Sequence, residues 1–111
     1  KVSKNIFEEL QTKTARINSE EIYANICNNI KKYRLEKYKE FKATNTDSTI
    51  NPYSTENIAA LLDYNHNHYK RFESANDSTK RIPLDKLAKL SIILDRTIDQ
   101  LMELNRYNKK G

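Results

Sequence analysis

The chain has 111 residues, of which 37% are hydrophobic and 32% charged, so we expect one domain with a small core under a heavily charged surface. A net charge of +5 permits an anionic partner without proving one. The single glycine ends the chain and there are only two prolines; a β-rich fold would need more of both, so the composition favours an all-α fold.

Cysteine usage and hydropathy suggest a compartment. Cys27 is the only cysteine, so no disulfide can form within the chain, and we expect a reducing, cytoplasmic location. No segment approaches the roughly 20 apolar residues of a membrane span, and no signal-peptide pattern opens the chain. Because the first residue is lysine, we expect the chain to be processed or to be a piece of a longer protein.

A helical extension is predicted for residues 1–21. Ile6, Phe7 and Leu10 are spaced for one or two amphipathic turns. This short helix either packs against the domain, which we favour, or acts as an arm that contacts DNA or a second copy of the chain.

The longest periodic segment predicts a helix after the extension, capped by Ser19. Its apolar stripe is Ile22, Ile26, Ile30 and Tyr33, with Cys27 beside it as a small buried hydrophobe. Its other face is mainly basic and carries Lys31, Lys32, Arg34, Lys37, Lys39 and Lys42. Residues 44–53 lack periodicity and predict a long loop.

Four shorter segments follow, and capping residues precede three of them. Ile58, Leu61 and Leu62 predict one helix, with Ser54 or Thr55 as its cap. After a break at Asn65, Tyr69 and Phe72 give a second short helix. Leu84, Leu87, Leu90, Ile93 and Leu94 form a strong amphipathic pattern, and Ile98, Leu101 and Met102 predict a last helix capped by Thr97. Two short helices joined by a tight break are typical of a helix-turn-helix.

From residue 54 onward, "STENIAALLDYNHNHYKRFES" resembles the lambda-repressor-like, XRE-type helix-turn-helix domain. Ala59 matches the family's small residue, Asp63 stands where the turn usually has glycine, and Asn65 takes the place of the usual serine cap. Downstream, "RIPLDKLAKLSIILDRTIDQLM" resembles the family's fourth and fifth helices, and "NICNNIKKYRLEK" resembles its first. The resemblance implies a five-helix domain over residues 22–104, followed by a basic tail at 105–111.

Two features depart from that family. Residues 40–53 look like an insertion between its first and second helices, which are usually joined by a short link. The stretch "ANDST" replaces a tighter turn. By position, the resemblance also implies that Arg34 pairs with Glu73 as a structural strut.

The resemblance assigns residues to a DNA interface. His66, Asn67 and Arg71 would contact bases, since arginine can bind guanine and asparagine adenine with two hydrogen bonds each. The expected phosphate contacts are Thr55, Lys70, Lys80, Arg81 and Tyr53. Residues 44–78 are net negative and both flanking segments are positive, so cations from the flanks would have to surround the recognition helix.

Other chemistries are less well supported by the sequence. His66 and His68 could be read as a metal pair, but their i, i+2 spacing points them about 200° apart on a helix and no third ligand is apparent. No nucleophile–histidine–carboxylate set or glycine-rich phosphate loop occurs, so we expect neither an enzyme nor a cofactor.

Two functions remain open from the sequence. The first is a sequence-specific double-stranded DNA-binding transcriptional regulator, a repressor of phage, plasmid or mobile-element type. It would bind a palindromic operator as a homodimer, through Leu101, Met102, Leu104 and Tyr107 or through the N-terminal arm. The second is a protein-interaction module, antitoxin-like or an adaptor, built on the same fold.

Overall fold

A computed structural model describes residues 2–74 and 81–103, with side chains from residue 5 onward. Six helices form these ranges: α1 (Val2–Thr14), α2 (Ser19–Thr44), α3 (Thr55–Leu61), α4 (His66–Phe72), α5 (Leu84–Leu94) and α6 (Ile98–Met102). The described residues contain no strand, so this part of the chain is all-α, as predicted. None of the helices within them is long and apolar enough to cross a membrane.

The core combines one apolar edge from each of α2 to α6. α2 packs against α5 and α6, α3 against α4, and α5 against α6. The side chains that become fully or almost fully buried are Ile26, Ile30, Ile58, Ala59, Leu62, Tyr69, Phe72, Ile82, Leu87, Leu90, Leu94 and Leu101. The predicted stripe of α2 is confirmed at its centre, and its ends, Ile22 and Tyr33, are partly buried against this cluster.

The start of α2 differs from the prediction. Asn18, not Ser19, is the cap: its backbone is extended and its side chain accepts a hydrogen bond from the Glu21 N–H at 2.9 Å. Because α2 begins at Ser19, the predicted boundary between residues 21 and 22 falls inside its first turn.

α2 ends at Thr44, within one residue of the predicted start of the loop. Residues 40–43, which the resemblance counts as part of an insertion, belong to the helix. They contain no glycine or proline, and Phe41 gains a ring contact with Tyr53 at 6.4 Å between centroids. The connection to α3 is therefore limited to residues 45–54, which is still longer than most helix–helix links.

Two asparagines of α2 hold the end of α6. The Asn29 amide, which is buried, donates to the Leu101 carbonyl at 3.0 Å and to Glu103 Oε1 at 3.0 Å. Asn25, one turn earlier, donates to the Met102 carbonyl at 3.3 Å. These bonds satisfy carbonyls that a helix end leaves without intrahelical partners, so polar residues beside the apolar stripe fix α6 on α2.

The interpretation of α1 as a packed helix is wrong for the described side chains. All side chains from residue 5 to residue 14 are exposed, and Phe7 is 61% exposed. The apolar spacing predicts the helix correctly, but spacing alone does not determine what covers its apolar face.

Three apolar residues do not lie where the sequence predicts: two expected in the core are exposed, and one expected at a dimer surface is buried. Leu84 is 74% exposed, because Leu84, Ala88 and Ile92 follow one another at four-residue intervals on the edge of α5 that faces away from the core. Leu61 is also exposed. Conversely, Leu101 is fully buried in its own core and is not available to a dimer surface; Leu104 and Tyr107 lie outside the described residues.

We predict that Leu90→Ala lowers the free energy of unfolding by about 2–5 kcal/mol, since it opens a cavity among fully buried side chains. Ile92→Ala, two residues away on the same helix but 81% exposed, should change it by less than about 0.5 kcal/mol. Urea unfolding of both variants measures the difference. Equal losses would contradict the assignment of the buried and exposed edges of α5.

Candidate functional site

The turn between α3 and α4 is built without glycine. Asp63 adopts a left-handed conformation with φ of 61°, which aspartate tolerates better than most residues. The Tyr64 N–H then donates back to the Ala59 carbonyl at 2.8 Å. Asn65 caps α4, because its side-chain oxygen accepts from the N–H groups of Asn67 and His68. Both the turn position and the cap are as predicted.

α4 has one buried and one exposed face. Tyr69 and Phe72 enter the core, as predicted. Asn67, Lys70 and Arg71 are exposed on the opposite face, and α4 itself contains no carboxylate. We call Asn67, Lys70 and Arg71, together with His66, the outer face of α4.

Rings from the turn and from α4 stiffen this helix. Tyr64 stacks on Phe72 with 5.5 Å between ring centroids, and His68 contacts both rings at 4.6 and 5.2 Å. The Lys86 ammonium of α5 lies 5.2 Å from the centre of the Tyr64 ring. Burial, together with the charge of Asp85, raises the pKa of the Tyr64 hydroxyl. His68 is thus part of an aromatic cluster that ties the turn to α4 and α5.

His66 differs from its predicted orientation. It is half-buried, and its Nε2 lies 2.7 Å from the hydroxyl oxygen of Thr55, the first residue of α3. The tautomer of the imidazole determines which of the two donates the proton. Two residues assigned separately to bases and to phosphate therefore form one hydrogen-bonded pair that joins the first turns of α3 and α4.

A buried ion pair connects the end of α4 to α2. Arg34 Nε donates to Glu73 Oε2 at 2.6 Å and Arg34 Nη2 donates to Glu73 Oε1 at 3.0 Å, a two-pronged geometry that fits guanidinium to carboxylate. Their side chains are 8% and 7% exposed. Arg34 Nη1 also donates to the Tyr53 carbonyl at 3.0 Å, and the Tyr69 hydroxyl donates to Glu73 Oε2.

The pair has consequences for proton binding. Burial acts to lower the pKa of Arg34, but the hydrogen bond and the charge of Glu73 outweigh it and raise the pKa. Burial, and then the charge of Glu73, raise the pKa of the Tyr69 hydroxyl well above its usual value. Arg34 therefore stays charged, and Tyr69 stays protonated and able to donate to Glu73.

The expected phosphate contacts are dispersed. Tyr53 directs its carbonyl to Arg34 and its ring edge to Phe41. The exposed Arg81 holds its guanidinium 4.7 Å from the centre of the Tyr23 ring of α2, which places it beside the first half of α2. Lys80 lies outside the described residues. Of the expected phosphate contacts within the described residues, two lie at the outer face of α4. Lys70 belongs to this face, and Thr55 is hydrogen-bonded to His66.

Sequence reasoning did not identify the Tyr69–Glu73 contact or the Thr55–His66 pair. The first had a signal, because Tyr69 and Glu73 are four residues apart and such residues are neighbours on a helix. The second had none, because it joins two helices across a turn. No group of three or more potential metal ligands occurs among residues 2–74 and 81–103.

We predict that Glu73→Ala lowers the free energy of unfolding by about 3–5 kcal/mol, because it leaves the Arg34 charge buried without a partner. Glu36→Ala removes a carboxylate from the half-exposed pair with Arg96 and should cost less than about 1 kcal/mol. Denaturant unfolding compares the two. The double variant Arg34→Ala/Glu73→Ala should lose less than the sum of its single variants; strict additivity would contradict the coupling.

A pH dependence follows from Tyr69. Because its pKa is raised in the folded chain, its stabilising contribution is complete below the unfolded value of about 10 and is lost as the pH rises above it. Between pH 9 and 11, the free energy of unfolding of Tyr69→Phe should fall less steeply with pH than that of the wild type. The two slopes should differ by up to about 1.4 kcal/mol per pH unit. Parallel slopes for Tyr69→Phe and wild type would contradict the prediction.

Comparisons with known proteins supply no relative for this site. No protein-family model matches the chain, and searches of curated proteins and of solved structures find no match.

Proposed function

We propose that the chain is a sequence-specific double-stranded DNA-binding transcriptional regulator, in which α3 and α4 act as a lambda-repressor-like helix-turn-helix. The observation that carries this proposal is the outer face of α4. Asn67, Lys70 and Arg71 are exposed together on a helix with no acidic residue, while the rest of that helix is held rigidly by buried contacts.

The side chains of this face match the chemistry of the major groove. Arginine presents two donors to the O6 and N7 atoms of guanine, and asparagine pairs with adenine through one donor and one acceptor. α4 has seven residues, about 10 Å of helix, and the major groove is about 12 Å wide. We assign Asn67 and Arg71 to bases and Lys70 to phosphate.

His66 and Thr55 contribute as a pair in this proposal. Their hydrogen bond fixes the imidazole at the first turn of α4, so a base contact from His66 would use its other nitrogen. The Thr55 hydroxyl keeps a further lone pair or proton for a phosphate oxygen. The pair would thereby couple backbone docking at α3 to base contact at α4.

Rigidity supports the same proposal. A base-reading side chain has to be held in the correct orientation by its surroundings. α4 is fixed at its start by Asn65 and His66, at its middle by the Tyr64 and His68 rings, and at its end by Glu73. Such anchoring at three points suits a helix that must present fixed donors and acceptors.

The regulator would act by binding and not by catalysis. Two copies of the chain would bind a palindromic operator as a homodimer, with half-sites about 34 Å apart. Repression by occupancy of the operator is the simplest mode of action that needs no further domain.

A second candidate function is a protein-interaction module on the same fold, and one observation favours it. Leu84 and Ile92 are 74% and 81% exposed on the outer edge of α5, and exposed apolar residues at helical spacing are typical of surfaces that bind a partner. Such a module would bind DNA weakly and without sequence preference, whereas a regulator should discriminate by several kcal/mol, on the order of 4–10.

We predict that selection from a random duplex library at physiological salt enriches one motif with wild-type protein. Asn67→Ala/Arg71→Ala should abolish the motif, since each two-pronged base contact contributes about 1–3 kcal/mol of discrimination. The matched control Asn28→Ala/Arg96→Ala removes the same residue types from positions outside α1, α3 and α4 and should retain the motif. No enrichment with the wild type would reject the regulator and favour the interaction module.

A further inference from the structure

The last ten residues of α2 extend beyond the part of the helix that builds the core. The buried residues of α2 end at Arg34, yet the helix continues to Thr44. Within this extension only Lys37, Tyr38 and Phe41 are even partly buried. Packing in the core therefore does not explain why the helix continues through these ten residues.

The extension lies beside the start of α3. The Asn51 amide donates to the Tyr38 carbonyl at 3.0 Å. The Phe41 and Tyr53 rings pack in a T-shaped arrangement with 6.4 Å between their centroids. Asn51 also accepts a hydrogen bond from the Asn57 amide at 2.8 Å. The extension is therefore attached to the segment that leads into Thr55, the residue paired with His66.

Three lysines share the free side of α2. Lys31, Lys39 and Lys42 are all exposed; at 100° per residue they lie within about 80° of one another and span about 17 Å along the axis. No carboxylate of the described residues is paired with any of them. We call these three residues the lysine face.

The two carboxylates of α2 that lie between Lys31 and Lys42 are on another side of the helix. Glu36 pairs with Arg96 at 3.2 Å, on the side of α2 that faces the end of α5. Glu40 lines the same depression as Glu36 and Arg96. Glu36 and Glu40 are thus turned away from the lysine face, and none of its three lysines has a carboxylate partner among the described residues.

We propose that the lysine face is a second phosphate-binding surface, which extends contact with the DNA backbone beyond the α3–α4 unit. This inference rests on the proposed function and names its partner as the sugar-phosphate backbone of the same duplex. The spacing fits, because about 17 Å of helix spans roughly five base pairs of DNA at 3.4 Å each. Lys39 and Lys42 lie on the extension, which contacts Asn51 and Tyr53 of the segment that leads into α3.

Lysine contacts to phosphate add affinity that depends on salt but carry no sequence information. The lysine face therefore has a signature distinct from that of the outer face of α4. Its removal should weaken binding equally for all sequences and leave the preferred motif unchanged.

The test measures the association constant of the full chain for its selected duplex over a range of salt concentrations. Lys39→Gln/Lys42→Gln should make the slope of log K against log salt shallower by about 1.8, since each phosphate contact contributes about 0.9. The control Lys37→Gln/Lys89→Gln removes the same charge from α5 and from the side of α2 opposite the lysine face and should keep the wild-type slope.

The outcomes separate this inference from the function on which it rests. A wild type that selects a motif, with an unchanged slope in Lys39→Gln/Lys42→Gln, overturns the lysine face alone. An equal change in the control variant also overturns it, because net charge and not position would then explain the effect. A wild type without sequence preference overturns both. Unfolding midpoints equal to that of the wild type establish that the variants are folded.

Discussion

The carboxylate of Glu73 is the point at which three parts of the chain meet. It receives the guanidinium of Arg34 from α2 and the hydroxyl of Tyr69 from α4, while the same guanidinium holds the Tyr53 carbonyl ahead of α3. Arg34, Tyr69 and Glu73 are buried and each has its partner, so none carries the full cost of an unsatisfied buried polar group. The network adds directional hydrogen bonds to the apolar packing of α4, which by itself is less directional.

No glycine joins the helices, because the only one is Gly111, and the chain uses acidic residues instead. Asp63, Asp95 and Glu103 all take left-handed conformations at the ends of helices, positions for which glycine has the lowest steric cost. Capping compensates in part: Asn65, Thr97 and Ser54 each accept hydrogen bonds from the helix that follows. Backbone strain at the turns is therefore accompanied by satisfied N–H groups at the next helix start.

The surface divides according to chemistry. Around α4 the exposed groups are an amide and two cations; around the free side of α2 they are lysines; along the outer edge of α5 they are apolar. In the proposed function the first surface binds bases and the second binds phosphates. The extension that carries Lys39 and Lys42 contacts the segment before α3. A single duplex could thus be contacted by a specific surface and by a sequence-independent one, which divides discrimination from affinity.

The sequence by itself determined the number of helices, the two faces of α4 and the turn chemistry at Asp63 and Asn65. These features depend on residues close together in the chain, where periodicity and capping act. The prediction was wrong where local pattern allows several outcomes. Helical spacing in α1 and at Leu84 indicates an apolar edge but does not say whether anything covers it. Only the tertiary structure decided that His66 bonds to Thr55 and that Asn29 holds the end of α6. Those contacts join residues 11 and 72 positions apart, and their geometry exists only once the helices have packed.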